Sequence, residues 1–186
     1  LSAQEIEEVF KVAKKLDLPI KLHAEQLSNS GGVKLAARYK AISIDHLEYA
    51  DKSDVLAMAN SGSVAVILPG AFYTLKEKQK PPIYDFINNE VPIAIATDCN
   101  PGSSPMTSLL LAMNMASTIF SITPQMSIKG VTLNAAKALG IDNIGKICEG
   151  MKADLVIWNI EHPSELSYRI GVNPIFKRIF GGVLEI

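Results

Sequence analysis

Four short apolar segments alternate with helix-like segments over residues 1–140, and this alternation restricts the chain to few folds. The strand-like segments lie at 19–23, 41–46, 64–68 and 92–97. Strands that alternate with helices form a parallel sheet with right-handed crossovers. The pattern therefore predicts an α/β fold, and both a doubly wound sheet and a (β/α)8 barrel fit it.

Polar side chains at the ends of these strands favour the barrel. His23, His46 and Asp98 each stand at or directly after the C-terminal end of a predicted strand. A (β/α)8 barrel carries its catalytic groups around this rim, whereas a doubly wound sheet usually binds ligands at one switch point. Four strand–helix units make half a barrel. We do not expect half a barrel to be a stable monomer, because both of its edges are open.

The alternation stops after residue 140. Gly145 and Gly150 precede a strand-like segment at 153–158, and residues 175–186 have the composition of another strand. This tail is not a fifth strand–helix unit. We predict that residues 141–186 belong to a small, separate β structure.

Charge and composition exclude several classes of partner. The chain has 18 Lys and Arg against 19 Asp and Glu, so its net charge of -1 offers no surface for nucleic acid or an anionic membrane. No apolar run approaches the roughly 20 residues of a membrane span. Two cysteines cannot build a disulfide framework, so we expect a cytoplasmic protein. The sequence leaves a homodimer open.

The three rim residues have the chemistry of a metal site. Imidazole nitrogen and carboxylate oxygen both bind first-row metals, and a bound metal makes hydroxide available at neutral pH. A single histidine at a strand end is more often structural, and Asn100 to Gly102 also reads as a plain turn before a helix. Spacing alone therefore leaves both the metal site and the structural interpretation open.

Four segments resemble imidazolonepropionases, a family within the amidohydrolase superfamily. They are Lys-Leu-His-Ala-Glu-Gln-Leu-Ser-Asn-Ser-Gly-Gly at 21–32, Asp-His-Leu-Glu at 45–48, Leu-Pro-Gly-Ala-Phe-Tyr at 68–73 and Thr-Asp-Cys-Asn-Pro-Gly-Ser-Ser-Pro at 97–105. They are similar to the fifth to eighth barrel strands of that family. Residues 145–155 are similar to the return into the superfamily's small β-sandwich. The resemblance implies the C-terminal half of a TIM-like (β/α)8 barrel over 1–140 and part of a small β-sandwich domain over 141–186.

The resemblance also implies an activity and its residues. The family hydrolyses the cyclic amide 4-imidazolone-5-propanoate to N-formimino-L-glutamate, a step of histidine degradation. By this resemblance His23 and Asp98 would ligate one zinc or iron ion, and His46 and Asp98 would handle the proton and orient water. The implied contacts to the small-molecule substrate are Gln26, Asn100, Gly102 and Ser103.

The chain departs from the family pattern in two places. Gln26 stands where some relatives carry Glu, and because an amide cannot act as a base, that role falls to Asp98 or His46. Family members carry an H-x-H pair on the first barrel strand, and this sequence has three histidines but no H-x-H. Its first residue is Leu1. We therefore expect that its partner is the N-terminal half of the same protein and that the chain alone lacks activity.

Two other functions compete with the hydrolase. A ring deaminase of the same superfamily is one, and the Asn-Pro-Gly loop at 100–102 argues against it. A non-catalytic half-barrel that binds another chain is the second. The missing H-x-H supports this binding module, while the polar residues retained on the rim oppose it.

Overall fold

Four parallel strands form one sheet in the computed structural model, which describes residues 2–185. They are β1 (Lys21–Ala24), β2 (Ser43–His46), β3 (Val64–Ile67) and β4 (Ile93–Ile95). Their spatial order is the same as their order along the chain. A doubly wound sheet reverses its strand order at a switch point, whereas a barrel wall does not. The parallel α/β sheet is confirmed, and its order fits part of a barrel.

Helices follow each strand, and side-chain caps explain where several of them begin. They are α1 (Ala3–Lys15), α2 (Gly32–Arg38), α3 (Lys52–Ser61), α4 (Pro69–Thr74), α5 (Ile83–Asn88), α6 (Leu109–Phe120), α7 (Pro124–Val131), α8 (Leu133–Leu139) and α9 (Glu165–Tyr168). Ser2 and Glu5 form an S-x-x-E pattern that predicts a capping box, and this box is present at α1. Thr123-Pro124 predicts a helix start with proline at the first position, and Thr123 caps α7 there.

Two predicted helix starts are wrong. The sequence predicts that Ser53 caps a helix running to about Asn60, but the Asp51 carboxylate accepts the N–H of Asp54 at 2.9 Å, and the Ser53 hydroxyl donates to Asp51. The sequence predicts a helix over 106–120, but α6 begins later, because the Ser108 hydroxyl accepts the N–H of Leu111 at 3.2 Å. In both cases the side chain that caps the helix decides its first residue.

The core occupies the helix-covered face of the sheet. There the strand residues Ile44, Ala65, Ile67 and Ile95 pack against helix residues such as Val55, Met58 and Phe86. The other face is covered near β3 and β4 by Ala138 of α8. The Asn134 amide of this helix donates to the carbonyl of Ile93 at 2.8 Å, at the start of β4. Helix α8 therefore lies at the N-terminal ends of the strands, and their C-terminal ends stay available for a site.

The tail forms a second, antiparallel sheet of three strands. They are β5 (Leu155–Trp158), β6 (Ile175–Phe180) and β7 (Val183–Glu185). The single strand expected over 175–186 is instead a hairpin, because Gly181 and Gly182 take the positive φ values of 56° and 83° that a tight turn requires. Ile186 lies outside the described residues. The Asn114 amide on α6 donates to the carbonyls of Ser167 and Tyr168 at 3.0 Å, which ties α9 to the first sheet's helices.

Across residues 2–185, no helix has the length and apolarity that a membrane crossing requires.

Candidate active site

One row of side chains crosses the parallel sheet on the face opposite the helix-covered core. In register, His23 lies beside Asp45, Asp45 beside Val66, and Val66 beside Ala94. Neighbours in register project to the same face of a sheet. His23 and Asp45 are therefore the polar end of an otherwise apolar row.

The structure brings His23 and His46 together. Their ring centroids are 4.2 Å apart, with an angle of 63° between the ring planes. His23 is exposed, whereas His46 is buried. His46, the last residue of β2, and Leu47 have positive φ values of 76° and 74°. Such values are uncommon for residues other than glycine and occur preferentially at functional sites.

Burial shifts the pKa values of His23 and Asp45 in opposite directions. Partial burial lowers the pKa of His23, as does the neighbouring His46, while the carboxylates of Asp98 and Glu48 oppose this shift. A lower pKa favours neutral imidazole, which is the form that binds a metal. Burial raises the pKa of Asp45, and this shift is opposed by Lys21 and His46.

The Asn100 amide organises the loop that follows β4. Its nitrogen donates to the backbone carbonyl of Asp98 at 2.7 Å, and its oxygen accepts the N–H groups of Gly102 at 2.9 Å and Ser103 at 2.7 Å. The Ser103 hydroxyl lies 3.1 Å from the amide nitrogen. Half-buried Asp98 itself has a φ of 49°. This network holds the loop in one shape and uses both ends of the Asn100 amide.

A glycine on α4 allows the Asp98 loop to pack closely. The Ser104 hydroxyl donates to the carbonyl of Thr97 at 2.6 Å, which folds the loop back on the strand end. A Cβ atom on Gly70 would lie 2.5 Å from the Ser104 oxygen and 2.7 Å from the Met106 Cε. Any larger residue at position 70 would therefore push the loop away.

A cleft of about 500 Å³ lies along β1 and the loop after it. His23 and Gln26 line it, together with Lys21 and Ser28. Its walls come from Ile6, residues 21–28 and Ser30, so the three predicted substrate contacts of the Asp98 loop lie outside it. The structure thus brings Gln26 to His23 but places Asn100, Gly102 and Ser103 in a separate loop.

The comparison with known proteins identifies the family of this chain. A family model described as "Amidohydrolase family" matches residues 1–183. The chain belongs to the amidohydrolase family. It is 57% identical over 185 residues to an imidazolonepropionase of Ruegeria sp. (strain TM1040), covering 100% of this chain and 46% of that protein. It is 60% identical over 181 residues to an imidazolonepropionase of Ruegeria pomeroyi, covering 97% of this chain and 45% of that protein.

The resemblance to imidazolonepropionases is therefore confirmed over the whole amidohydrolase chain. The chain spans about half the length of the curated relatives it matches. Among solved structures, it is similar to a zinc-bound adenosine deaminase from Xanthomonas campestris, with a TM-score of 0.78 and 21% identity over 99% of this chain and 49% of that one. A 5-methylcytosine deaminase from Klebsiella pneumoniae gives a TM-score of 0.82 and 15% identity, and the match covers 99% of this chain and 52% of that one. At these identities the structures show a shared fold alone.

A buried carboxylate that the sequence pattern did not single out shapes the loop after β1. Glu25 is 2% exposed and has a φ of 54°. Its carboxylate accepts the N–H of Ser30 at 2.5 Å and the N–H of Val33, in the first turn of α2, at 3.2 Å. Glu25 thus caps α2 from within the loop that holds Gln26. An acidic residue shortly before a Gly-Gly helix start was the available signal.

Glu25→Ala is expected to lower the free energy of unfolding by about 1–3 kcal/mol, because the buried N–H of Val33 loses its acceptor. Urea denaturation measures this change. Glu149→Ala removes an exposed glutamate of the same charge and serves as the control. Equal denaturation midpoints for the two variants would contradict the capping role.

The donors on the rim fit a transition metal but do not complete its site. His23 offers an imidazole nitrogen and Asp98 a carboxylate oxygen, and both donors suit zinc or iron. Within residues 2–185, no group of three or more His, Cys, Asp or Glu side chains is arranged to hold a metal. A catalytic zinc site normally has three protein ligands. The two donors alone would not make such a site.

Proposed function

We propose that this chain is the C-terminal part of an imidazolonepropionase, which hydrolyses the cyclic amide 4-imidazolone-5-propanoate to N-formimino-L-glutamate. One observation carries the proposal: relatives named imidazolonepropionase are 57% and 60% identical to it across at least 97% of its length. Identity of this level over a span that includes His23, His46 and the Asp98 loop supports a shared substrate. The fold similarity to deaminases supports no deaminase activity, since it rests on 21% identity or less.

The proposed architecture is half a (β/α)8 barrel over 1–140 and part of a small β-sandwich over 141–186. The unreversed strand order supports the half-barrel. Gly140, with a φ of 68°, ends α8 at the proposed boundary. On the tail sheet, apolar side chains are exposed and would be covered by the other sheet of a sandwich. They include Val156, Phe176, Phe180 and Leu184.

Each rim residue has a proposed role. His23 and Asp98 would hold one zinc or iron ion, and such an ion would lower the pKa of a water near the ring carbonyl. Asp98 and His46 would take the proton of that water and return it to the ring nitrogen that leaves. The closeness of the His23 and His46 rings, 4.2 Å between centroids, supports a common site.

Substrate contacts are proposed for Gln26, Asn100, Gly102 and Ser103. Gln26 lines the cleft beside His23, which supports a contact between its amide and the imidazolone ring. The Asn100 amide is engaged within its loop, so its contribution is to hold Ser103 and Gly102 in place. The Ser103 hydroxyl lies 3.1 Å from the Asn100 amide nitrogen and would turn away from this contact to reach a ligand.

We also propose that the N-terminal half of the same protein completes the site. The matched relatives are about twice as long as this chain, and the rim offers two of the metal ligands expected. The chain alone would then be inactive. The cytoplasmic location and the homodimer stay predictions of the sequence.

A segment swap tests the proposed function. In the Ruegeria pomeroyi relative, the 181-residue segment that matches this chain is replaced by the chain's own residues, and we call the product the segment-swap enzyme. We expect it to consume imidazolonepropanoate with a kcat/KM within about tenfold of the relative's. Loss of substrate absorbance follows the reaction.

Two results would count against the proposal. A segment-swap enzyme that is folded by circular dichroism and metal-loaded, yet fails to consume imidazolonepropanoate, contradicts the proposed substrate. Turnover by the isolated 186-residue chain contradicts the claim that an N-terminal half completes the site. Cytosine and adenosine serve as control substrates, and ammonia release from either would favour the ring deaminase.

A further inference from the structure

Glu48 and His46 form a buried pair at the end of β2 that hydrophobic packing does not explain. Their side chains are 1% and 3% exposed, and the Glu48 Oε1 lies 3.8 Å from the His46 Nδ1. Among the described residues, the His46 Nδ1 and the Glu48 Oε2 have no hydrogen-bond partner. Burial of a carboxylate is costly unless it is paired, and a fold that only needed to fill this space would place an apolar residue there.

The backbone of this segment is held in an unusual conformation. His46 and Leu47 both have positive φ, and hydrogen bonds to the end of β1 hold the turn that follows. The N–H of Leu47 donates to the Ala24 carbonyl at 3.1 Å, and the N–H of Tyr49 donates to the Glu25 carbonyl at 2.8 Å. Strained conformations persist only where the surrounding structure holds them. The fold thus maintains a turn that keeps Glu48 beside His46.

We propose that Glu48 is a positioning residue for His46. Its carboxylate accepts the proton on the His46 Nδ1, a bond that forms once the 3.8 Å separation closes to hydrogen-bond distance. The bond selects the tautomer in which Nε2 carries a free lone pair and can take a proton. A base oriented by a third group is a recurrent arrangement in enzymes. This inference rests on the proposed function, because it gives Glu48 a role only through His46.

A structural role and a positioning role predict different results for Glu48→Leu. Leucine fills the position with an apolar side chain of similar size, and it removes a buried carboxylate oxygen that has no hydrogen-bond partner. If Glu48 positions His46, the variant should lose activity without losing stability. If Glu48 only stabilises the fold, activity and melting temperature should fall together.

Kinetics of the segment-swap enzyme provide the first test. We expect Glu48→Leu to lower kcat by about 100-fold, with KM changed by less than about threefold and Tm not lowered. Glu48→Gln should retain part of the activity, since its amide oxygen can still accept the Nδ1 proton. Glu149→Gln, at an exposed position, is the matched control. A kcat unchanged in Glu48→Leu, or a fall that Glu48→Gln does not relieve, would overturn the proposal.

The tautomer of His46 provides a second test that needs no turnover. Nitrogen-15 NMR of ring-labelled histidine in the zinc-loaded segment-swap enzyme, with His46→Asn to assign the signal, reports which ring nitrogen carries the proton. We expect the Nδ1–H form in the parent and in Glu48→Gln, and a mixture in Glu48→Leu. Identical tautomer populations in the parent and Glu48→Leu would refute the role of Glu48. An inactive enzyme whose tautomer still depends on Glu48 would refute the proposed substrate and support this inference.

Discussion

Asp98→Ala in the segment-swap enzyme is expected to lower kcat/KM for imidazolonepropanoate by at least about 1000-fold. Two losses combine: the carboxylate would no longer bind the metal, and it would no longer transfer the proton, which alone contributes about 100-fold to 10,000-fold. Initial rates of substrate loss measure the effect. Metal content, measured beside them, should fall as well.

The loop around Asp98 should survive this substitution, so a loss of activity can be assigned to the carboxylate. Asn100 holds the loop through the backbone carbonyl of Asp98 at 2.7 Å, while its contact with the Asp98 side chain is 3.4 Å. Asp142→Ala, which removes an exposed aspartate, is the control. An Asp98→Ala enzyme within about threefold of its parent would contradict the assigned role.

Phe86→Ala is expected to lower the free energy of unfolding by about 3–5 kcal/mol. Phe86 projects from α5 into the main core and is 0% exposed, so truncation leaves a cavity between the helix and the sheet. Urea denaturation of the segment-swap enzyme measures the loss.

Tyr84→Ala is the matched control for this change. Tyr84 lies on the same helix and carries an aromatic ring, but it is 75% exposed. Its truncation should cost about 0.5 kcal/mol or less. Similar losses for the two variants would contradict the packing of α5 on the sheet.

The sheet could be predicted from the sequence because its strands are short, apolar and regularly spaced. The first residue of each helix was harder to predict from the sequence. Asp51 and Ser53 are both good caps, and only the folded backbone shows which side chain reaches the N–H of Asp54. Helix α4 was missed because its six residues span less than two turns, too few to show helical periodicity.

The rim of the site could be predicted in outline but not in geometry. Strict alternation along β2 would put His46 on the sheet face opposite Asp45 and His23. In the structure the His23 and His46 rings are nevertheless in contact, and His46 and Leu47 depart from strand geometry by their positive φ values. No local pattern signals such a turn. Glu25 and Glu48 were missed for a related reason, since a charged residue in a polar segment gives no sign that it will be buried.

The identity of the product tests the central claim most directly. The segment-swap enzyme is incubated with imidazolonepropanoate, and the product is analysed by mass spectrometry. Hydrolysis of the ring amide predicts a product heavier than the substrate by one water molecule, with no ammonia released. Unchanged substrate in the presence of folded, metal-loaded enzyme, or a product formed with loss of ammonia, would contradict the assignment of this chain to an imidazolonepropionase.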